Sequence, residues 1–302
     1  MSPLRNNRVR ANVRLSRSKE RKMSRALICG GGGSVGTAWE SGWFAGLQQK
    51  GVWLNDADLI LGTSAGAGVG VQVACGHDMM SQVERYRAAG KRAAAGGATA
   101  VLHFDTGGRT AFAQLFERGQ ASGKNGDISV RKDISEAARA AVPTIELEAF
   151  MRTFKYLANE PWPASYKAAC LNIDTYEFEA IGADLGGALQ NGVAAGCAVP
   201  GVYPPIQVGK HFYVDGGCLS PTSLDLGIGY DKTLVLLVSE APQSEIDALR
   251  NSGTEHLIVS VDADVHAKWG GNLMDASLAF EAAEQGLAQG LRDAERVQAF
   301  WQ

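Results

Sequence analysis

Apolar positions first gather at Ala26-Leu27-Ile28-Cys29, a short continuous run that stops at a string of glycines and predicts a buried strand. Beyond it Val35, Trp39, Trp43 and Leu47 recur every fourth residue and share one face of a helix, capped by Ser34 and ended by Gly51. Gly36, Gly42 and Gly46 are poor helix formers in that segment, so the helix is expected to press closely on a neighbour. Leu59-Ile60-Leu61 predicts a second strand, and the small residues of 65–75 a second helix. Strand, helix, strand, helix at this spacing predicts a parallel α/β sheet.

From 81 to 158 the pattern is mainly helical, with breaks at Gly96-Gly97 and Gly107-Gly108 and a further helix opened by Pro143. A cap over a site and a plain helical layer fit this stretch equally. Residues 167–173 and 177–181 predict strands, 189–197 a helix, and the prolines of 200–205 a fixed turn. Strands follow at 212–214, 233–238 and 257–261, and a helix over 276–300 closes the chain. No repeat or low-complexity linker divides residues 26–302, which read as one domain.

Composition narrows the class. With 302 residues, 45% hydrophobic and 20% charged, the chain is of ordinary globular type. No apolar run is long enough to span a bilayer, so any membrane contact is expected to be peripheral. The net charge of −3 conceals an asymmetry, because residues 1–25 carry nine Lys/Arg against Glu20 alone. Such a tail predicts disorder. It suits an arm drawn to anionic lipid or nucleic acid, an Arg-rich targeting peptide, or sequence upstream of a start at Met23. It lacks the apolar core of a secretion signal, so a cytoplasmic location, peripheral to the membrane, is expected. The five cysteines include no C-x-x-C pair and no evident Cys/His cluster, which predicts neither a metal nor a disulfide framework and suits a reducing compartment.

Three places carry chemistry. Gly62-Thr63-Ser64-Ala65-Gly66 fits G-x-S-x-G, a sharp strand-to-helix turn that lifts a serine hydroxyl out of the sheet. Gly31-Gly32-Gly33-Ser34-Val35-Gly36 follows the first strand, and its N–H groups can converge on one oxyanion. The same loop fits a phosphate cradle, for which Asp56 and Asp58 are the candidate ribose acids, although both precede the second strand. Asp215-Gly216-Gly217 stands at a strand end. A carboxylate there can serve as base if burial raises its pKa, whereas His256 and His266 keep a Ser-Asp-His order open.

Together the glycine loop, residues 62–67, Ala198-Val199-Pro200-Gly201-Val202-Tyr203-Pro204-Pro205 and Asp215-Gly216-Gly217 resemble the four successive blocks of patatin-like phospholipases, in order and spacing, over residues 26–240. The resemblance implies an α/β fold, a three-layer α/β/α sandwich with a largely parallel central sheet. It implies a Ser-Asp dyad of Ser64 and Asp215, an oxyanion hole from Gly31, Gly32 and Gly33, and supporting glycines at 36, 62, 66, 216 and 217. It also implies an acyl lipid substrate, with no metal or cofactor; no nucleic-acid partner is expected. Two departures stand out: Val35 where the family often has Arg or Lys, and Gly196-Cys197 where it often has Ala-Ser. The first bears on phospholipid preference. A soluble esterase or thioesterase shares every motif, and a non-catalytic lipid- or nucleotide-binding protein is the rival of another class.

Overall fold

The computed structural model describes residues 23–95, 106–270 and 272–302. Its centre is strand β1 (Arg25–Cys29), flanked in parallel by β2 (Leu59–Gly62) and β7 (Lys232–Leu237). Parallel pairing continues outward to β3 (Tyr166–Asn172) on one side and β8 (Glu255–Ser260) on the other. Beyond β3 the sheet turns antiparallel, with β4 (Glu177–Ile181), β5 (Ile206–Val208) and β6 (His211–Asp215). The order is β5-β6-β3-β2-β1-β7-β8, with β4 also on β3. The short strand β5 has no counterpart in the periodicity, because three residues are too few to establish one.

Successive residues of β1 serve opposite faces. Leu27 and Cys29 join one apolar cluster while Ala26 and Ile28 join another, so both faces must be covered. Helices α1 (Gly33–Gln49), α2 (Ala65–Ala74), α3 (Met80–Ala94), α7 (Leu189–Gly196) and α10 (Ala279–Trp301) supply the first layer. Helices α4 (Thr106–Ser122), α5 (Ile128–Ala140) and α8 (Gln243–Asn251) cover the other face, through Phe116 and Ile134 on β3 and β6 and Leu249 on the central strands. This is a three-layer α/β/α arrangement with a mostly parallel sheet. The short helices α6 (Leu147–Thr153) and α9 (Ala263–Trp269) complete the chain.

Gly36 of α1 packs on Val238, and Gly42 and Gly46 are explained by α10. A Cβ at Gly42 would strike the Ala283 carbonyl, and one at Gly286 the Trp39 carbonyl, so the two backbones lie against each other. Trp39 and Trp43 are fully buried beside this seam, and the Trp43 Nε1 donates to Asp293 at 2.9 Å. They are core residues; Trp53, by contrast, is exposed.

Several expectations are corrected. Ser34 lies inside α1, whose cap is Gly32, because the Gly32 carbonyl already accepts from the Gly36 N–H. Gly107-Gly108 do not break the chain but sit in the first turn of α4, where the backbone bonds of a helix start are few. Pro143 lies four residues before α6, which begins at Leu147 after an extended Glu146. Helices α8 and α9 escape the hydrophobic pattern because they are short and mostly polar outside. Arg25, placed in the tail by charge, is a strand residue whose guanidinium pairs with Asp56 at 2.8 Å. Residues 1–22 and the Gly96-Gly97 break lie outside the described residues.

The α1–α10 seam leads to a stability test. Gly286→Ala is expected to lose about 1–3 kcal/mol through overpacking. Gly68→Ala, where an added Cβ meets open space in a helix, is expected to gain up to about 1 kcal/mol. Urea denaturation of both variants measures the contrast, and equal effects would contradict the close approach.

Candidate active site

β2 ends at Gly62 and the chain turns straight into α2. A Cβ at Gly62 would collide with Gly66 and Ala67, and one at Gly66 with the Cys29 carbonyl, so only glycine allows this turn to fold against β1. At its apex Ser64 takes φ 53° and ψ −116°, a left-handed conformation that a serine adopts only under constraint. The constraint is visible. The Ser64 N–H donates to the Gly196 carbonyl at 2.9 Å, and the Thr63 N–H to Cys29 at 3.0 Å.

Asp215 ends β6. Its N–H donates to the Ala198 carbonyl at 3.0 Å, two residues past the carbonyl that holds Ser64. Residues 196–198 therefore clamp both backbones, which explains why a block before the proline turn accompanies the other two. Cys197 adds an Sγ contact of 3.1 Å to the Ser64 carbonyl. Strand β3 stands between β2 and β6, pairing Ala168 with Gly62 and Cys170 with Asp215, so both strand ends reach the same rim of the sheet.

The Asp215 side chain is 1% exposed. Burial pushes its carboxyl up to about 7, opposed by hydrogen bonding from the Gly217 N–H, at 2.8 Å, and from the Ser64 hydroxyl. Ser64 and Asp215 are thus brought together. The described histidines are not brought to this pair: His211 faces Asp174, His256 contacts the Thr254 carbonyl, and His266 packs by Trp269. His77 faces Glu160, and His103 lies outside the described residues.

The glycine loop departs in one detail from the predicted donor set. Gly31 N–H is taken by the Pro221 carbonyl at 2.7 Å, although Gly31 itself backs directly onto Ser64. The N–H groups of Gly32 and Gly33 donate to no acceptor among the described residues, and they open the N-terminus of α1. Two helix N-termini, those of α1 and α2, therefore point their partial positive charge at one place. The phosphate-cradle reading loses its acids, since Asp56 and Asp58 bind Arg25 at the opposite end of β1.

Ser64 opens into a cavity of about 390 Å³. Gly33, Ser34 and Thr37 form its floor with Ala65 and Gly68; Tyr86, Phe150, Phe154, Tyr156 and Tyr203 form its walls. The poorly patterned middle of the chain thus helps enclose the site, through α3 and α6. Gln82 and Arg85 of α3 also line it, and nothing local in the sequence marks them. Val35 is fully buried in the core, so Arg85 is the cation lining the cavity among the described residues.

Cys75 and His77, separated by a single glycine, meet Glu160 from a distant loop, a grouping not evident in the sequence. The five cysteines are otherwise free.

Comparison with known proteins adds three findings. The family profile described as Patatin-like phospholipase matches residues 27–227. No curated protein sequence matches the chain. Among solved structures, the crystal structure of VipD from Legionella pneumophila is similar at a TM-score of 0.40 and 13% identity, covering 90% of this chain and 67% of that one.

The raised Asp215 pKa has a consequence for stability. In an unfolded chain this carboxyl titrates near 4. Folding lifts it to about 7, so the folded protein holds the extra proton between those values. The stability contributed by this site is full below pH 4 and lost as pH rises through 7. Asp215→Asn, which stays neutral, is expected to be more stable than the parent by up to a few kcal/mol at pH 8–9, but not at pH 4. Identical pH profiles of urea midpoint for the two proteins would refute the burial effect.

Proposed function

Because the chain belongs to the patatin-like phospholipase family, we propose that it cleaves fatty acyl esters of lipids, with Ser64 as nucleophile and Asp215 as general base. The observation that carries this reading is the shared clamp of residues 196–198, which holds Ser64 and the buried Asp215 at one rim of the sheet; burial there pushes the Asp215 carboxyl up to about 7. A carboxylate in bulk water is too weak a base for a serine hydroxyl; one deprived of water near pH 7 is matched to the task.

In the first step the Asp215 carboxylate takes the Ser64 proton as Oγ attacks the ester carbonyl. The carbonyl oxygen becomes an oxyanion and accepts from the N–H groups of Gly32 and Gly33, supported by the N-termini of α1 and α2. The proton passes from Asp215 to the departing alcohol. Water then gives a proton to the same carboxylate and attacks the acyl-enzyme. The tetrahedral species collapses, Ser64 Oγ recovers the proton, and the fatty acid is released. The aromatic walls of the cavity suit an acyl chain, which gains about 0.8 kcal/mol for each methylene removed from water. No helix among the described residues is long and apolar enough to cross a membrane, so lipid would be met at a surface or as monomers and micelles.

Arg85 supports a phospholipid over a neutral ester. It lines the cavity, and among the described residues its Nη1 donates only to the neutral Gln82, at 3.2 Å. Its charge is available to an anionic group at the mouth, where Val35 leaves the glycine loop uncharged.

Ser64→Ala is expected to abolish both fluorophosphonate labelling and hydrolysis of p-nitrophenyl esters with the fold intact. Asp215→Asn should lower kcat by roughly 10²–10⁴-fold, the usual contribution of a general base. His256→Ala and His266→Ala should leave activity unchanged, and the kcat of the parent should rise with pH through about 7. Labelling that persists in Ser64→Ala, or activity lost with either histidine, would sink the dyad. Separately, Arg85→Ala should cut kcat/KM for anionic phospholipid by about ten- to a hundredfold, the worth of one charge-assisted hydrogen bond, while sparing a neutral ester. Equal loss on both substrates would contradict a headgroup role.

A further inference from the structure

Helix α2 has Ser64 at its N-terminal cap and Cys75 at its C-terminal cap. At that far end, one ligand atom each of Cys75, His77 and Glu160 lie within 4.8 Å of one another. His77 Nε2 and Glu160 Oε1 are 3.8 Å apart, too long for a hydrogen bond. Two ligands on a common tetrahedral ion, each about 2.0–2.3 Å from it, stand at a comparable separation.

The backbone that presents these groups is held in place. Gln48 of α1 grips the loop at two points, donating from Nε2 to the His77 carbonyl at 3.0 Å and accepting the Met79 N–H at 2.8 Å. The Cys75 N–H donates to Val71 and the His77 N–H to Gln72, both at 2.9 Å. Gly76 between them has φ +69°, a left-handed residue that reverses the chain. Each of the three side chains is partly exposed, leaving an ion a path in and a position for water.

We propose that Cys75, His77 and Glu160 bind a zinc ion, with water as the fourth ligand. The mixed sulfur, nitrogen and oxygen set suits a borderline-soft ion that accepts tetrahedral geometry. Calcium and magnesium, which take oxygen ligands, are excluded by the thiol and imidazole. On binding, the Cys75 thiol releases its proton to solvent; thiolate and carboxylate then balance the two positive charges of the ion. Glu160 follows Tyr156, a wall residue of the cavity, so the ion staples the end of α2 to that wall. This is a second site, remote from Ser64 along its own helix, and it does not rest on the hydrolase reading.

The test uses the full chain after treatment with a chelator. Zinc titration by calorimetry is expected to show one equivalent bound. Cobalt(II) should give a thiolate-to-metal charge-transfer band with tetrahedral d–d absorption. Cys75→Ser should remove the charge-transfer band, His77→Ala should weaken zinc binding by more than tenfold, and zinc should raise the melting temperature of the parent but not of these two variants. His266→Ala and Ser64→Ala should bind as the parent does, which separates this site from the catalytic proposal. If Cys75→Ser fails to fold, the partly exposed His77→Ala decides. No saturable zinc binding tighter than about 1 mM, or unchanged affinity in His77→Ala, overturns the assignment.

Discussion

A carboxyl group held out of water at the end of β6 is the constraint on which the site depends. Burial alone would leave Asp215 an inert neutral acid, and exposure would leave it a weak base. Its pKa near 7 reflects a balance: desolvation raises it, while the Gly217 N–H and the Ser64 hydroxyl lower it. Keeping that balance requires the surrounding backbone to hold still. The Gly196 and Ala198 carbonyls do this from one short segment, taking the N–H of Ser64 and of Asp215. A shift of that segment would move both groups together rather than part them.

The same economy operates around the glycine loop. The Gly31 N–H is tied to Pro221, and the stretch beyond Pro221 is anchored by Glu245, which accepts from the Thr222 hydroxyl at 3.0 Å and the Leu224 N–H at 3.1 Å. Glu245 and Asp225 in turn share the buried ammonium of Lys124. Breaking such a buried group of charges by removing one member is costly, typically several kcal/mol, because the others remain unpaired in low dielectric. One N–H of the loop is thus spent on structure, while the next two have no acceptor among the described residues. The seam between α1 and α10 plays the corresponding part on the opposite side, fixing the helix that the glycine loop opens.

Much of this was legible in the residues. The four motif blocks identified the α/β class, the elbow at Ser64 and the strand-end aspartate, since each rests on a backbone requirement that a few consecutive residues express. Gly36, Gly42 and Gly46 foretold a close neighbour for α1, but not that Gly42 and Gly46 would meet the last helix of the chain and Gly36 the Val238 side chain. The cap of α1, the extent of α4 and the two polar helices α8 and α9 were misread or missed. Their boundaries depend on hydrogen bonds and contacts made by residues far away in the chain, and local spacing does not record those.

By itself, then, the order of residues determined where the chain turns sharply, which positions must lie inside, and which side chains have reactive chemistry. These follow from interactions that reach only a few residues along the backbone. Tertiary structure alone decided what stands beside what. It placed β3 between Gly62 and Asp215, turned Arg85 into the cavity in place of a loop cation, took Gly31 out of the donor set, and closed Glu160 onto Cys75 and His77. Each of these pairs residues remote in sequence. Their meeting is set by how the layers pack on the sheet, a property of the folded whole that no single segment encodes.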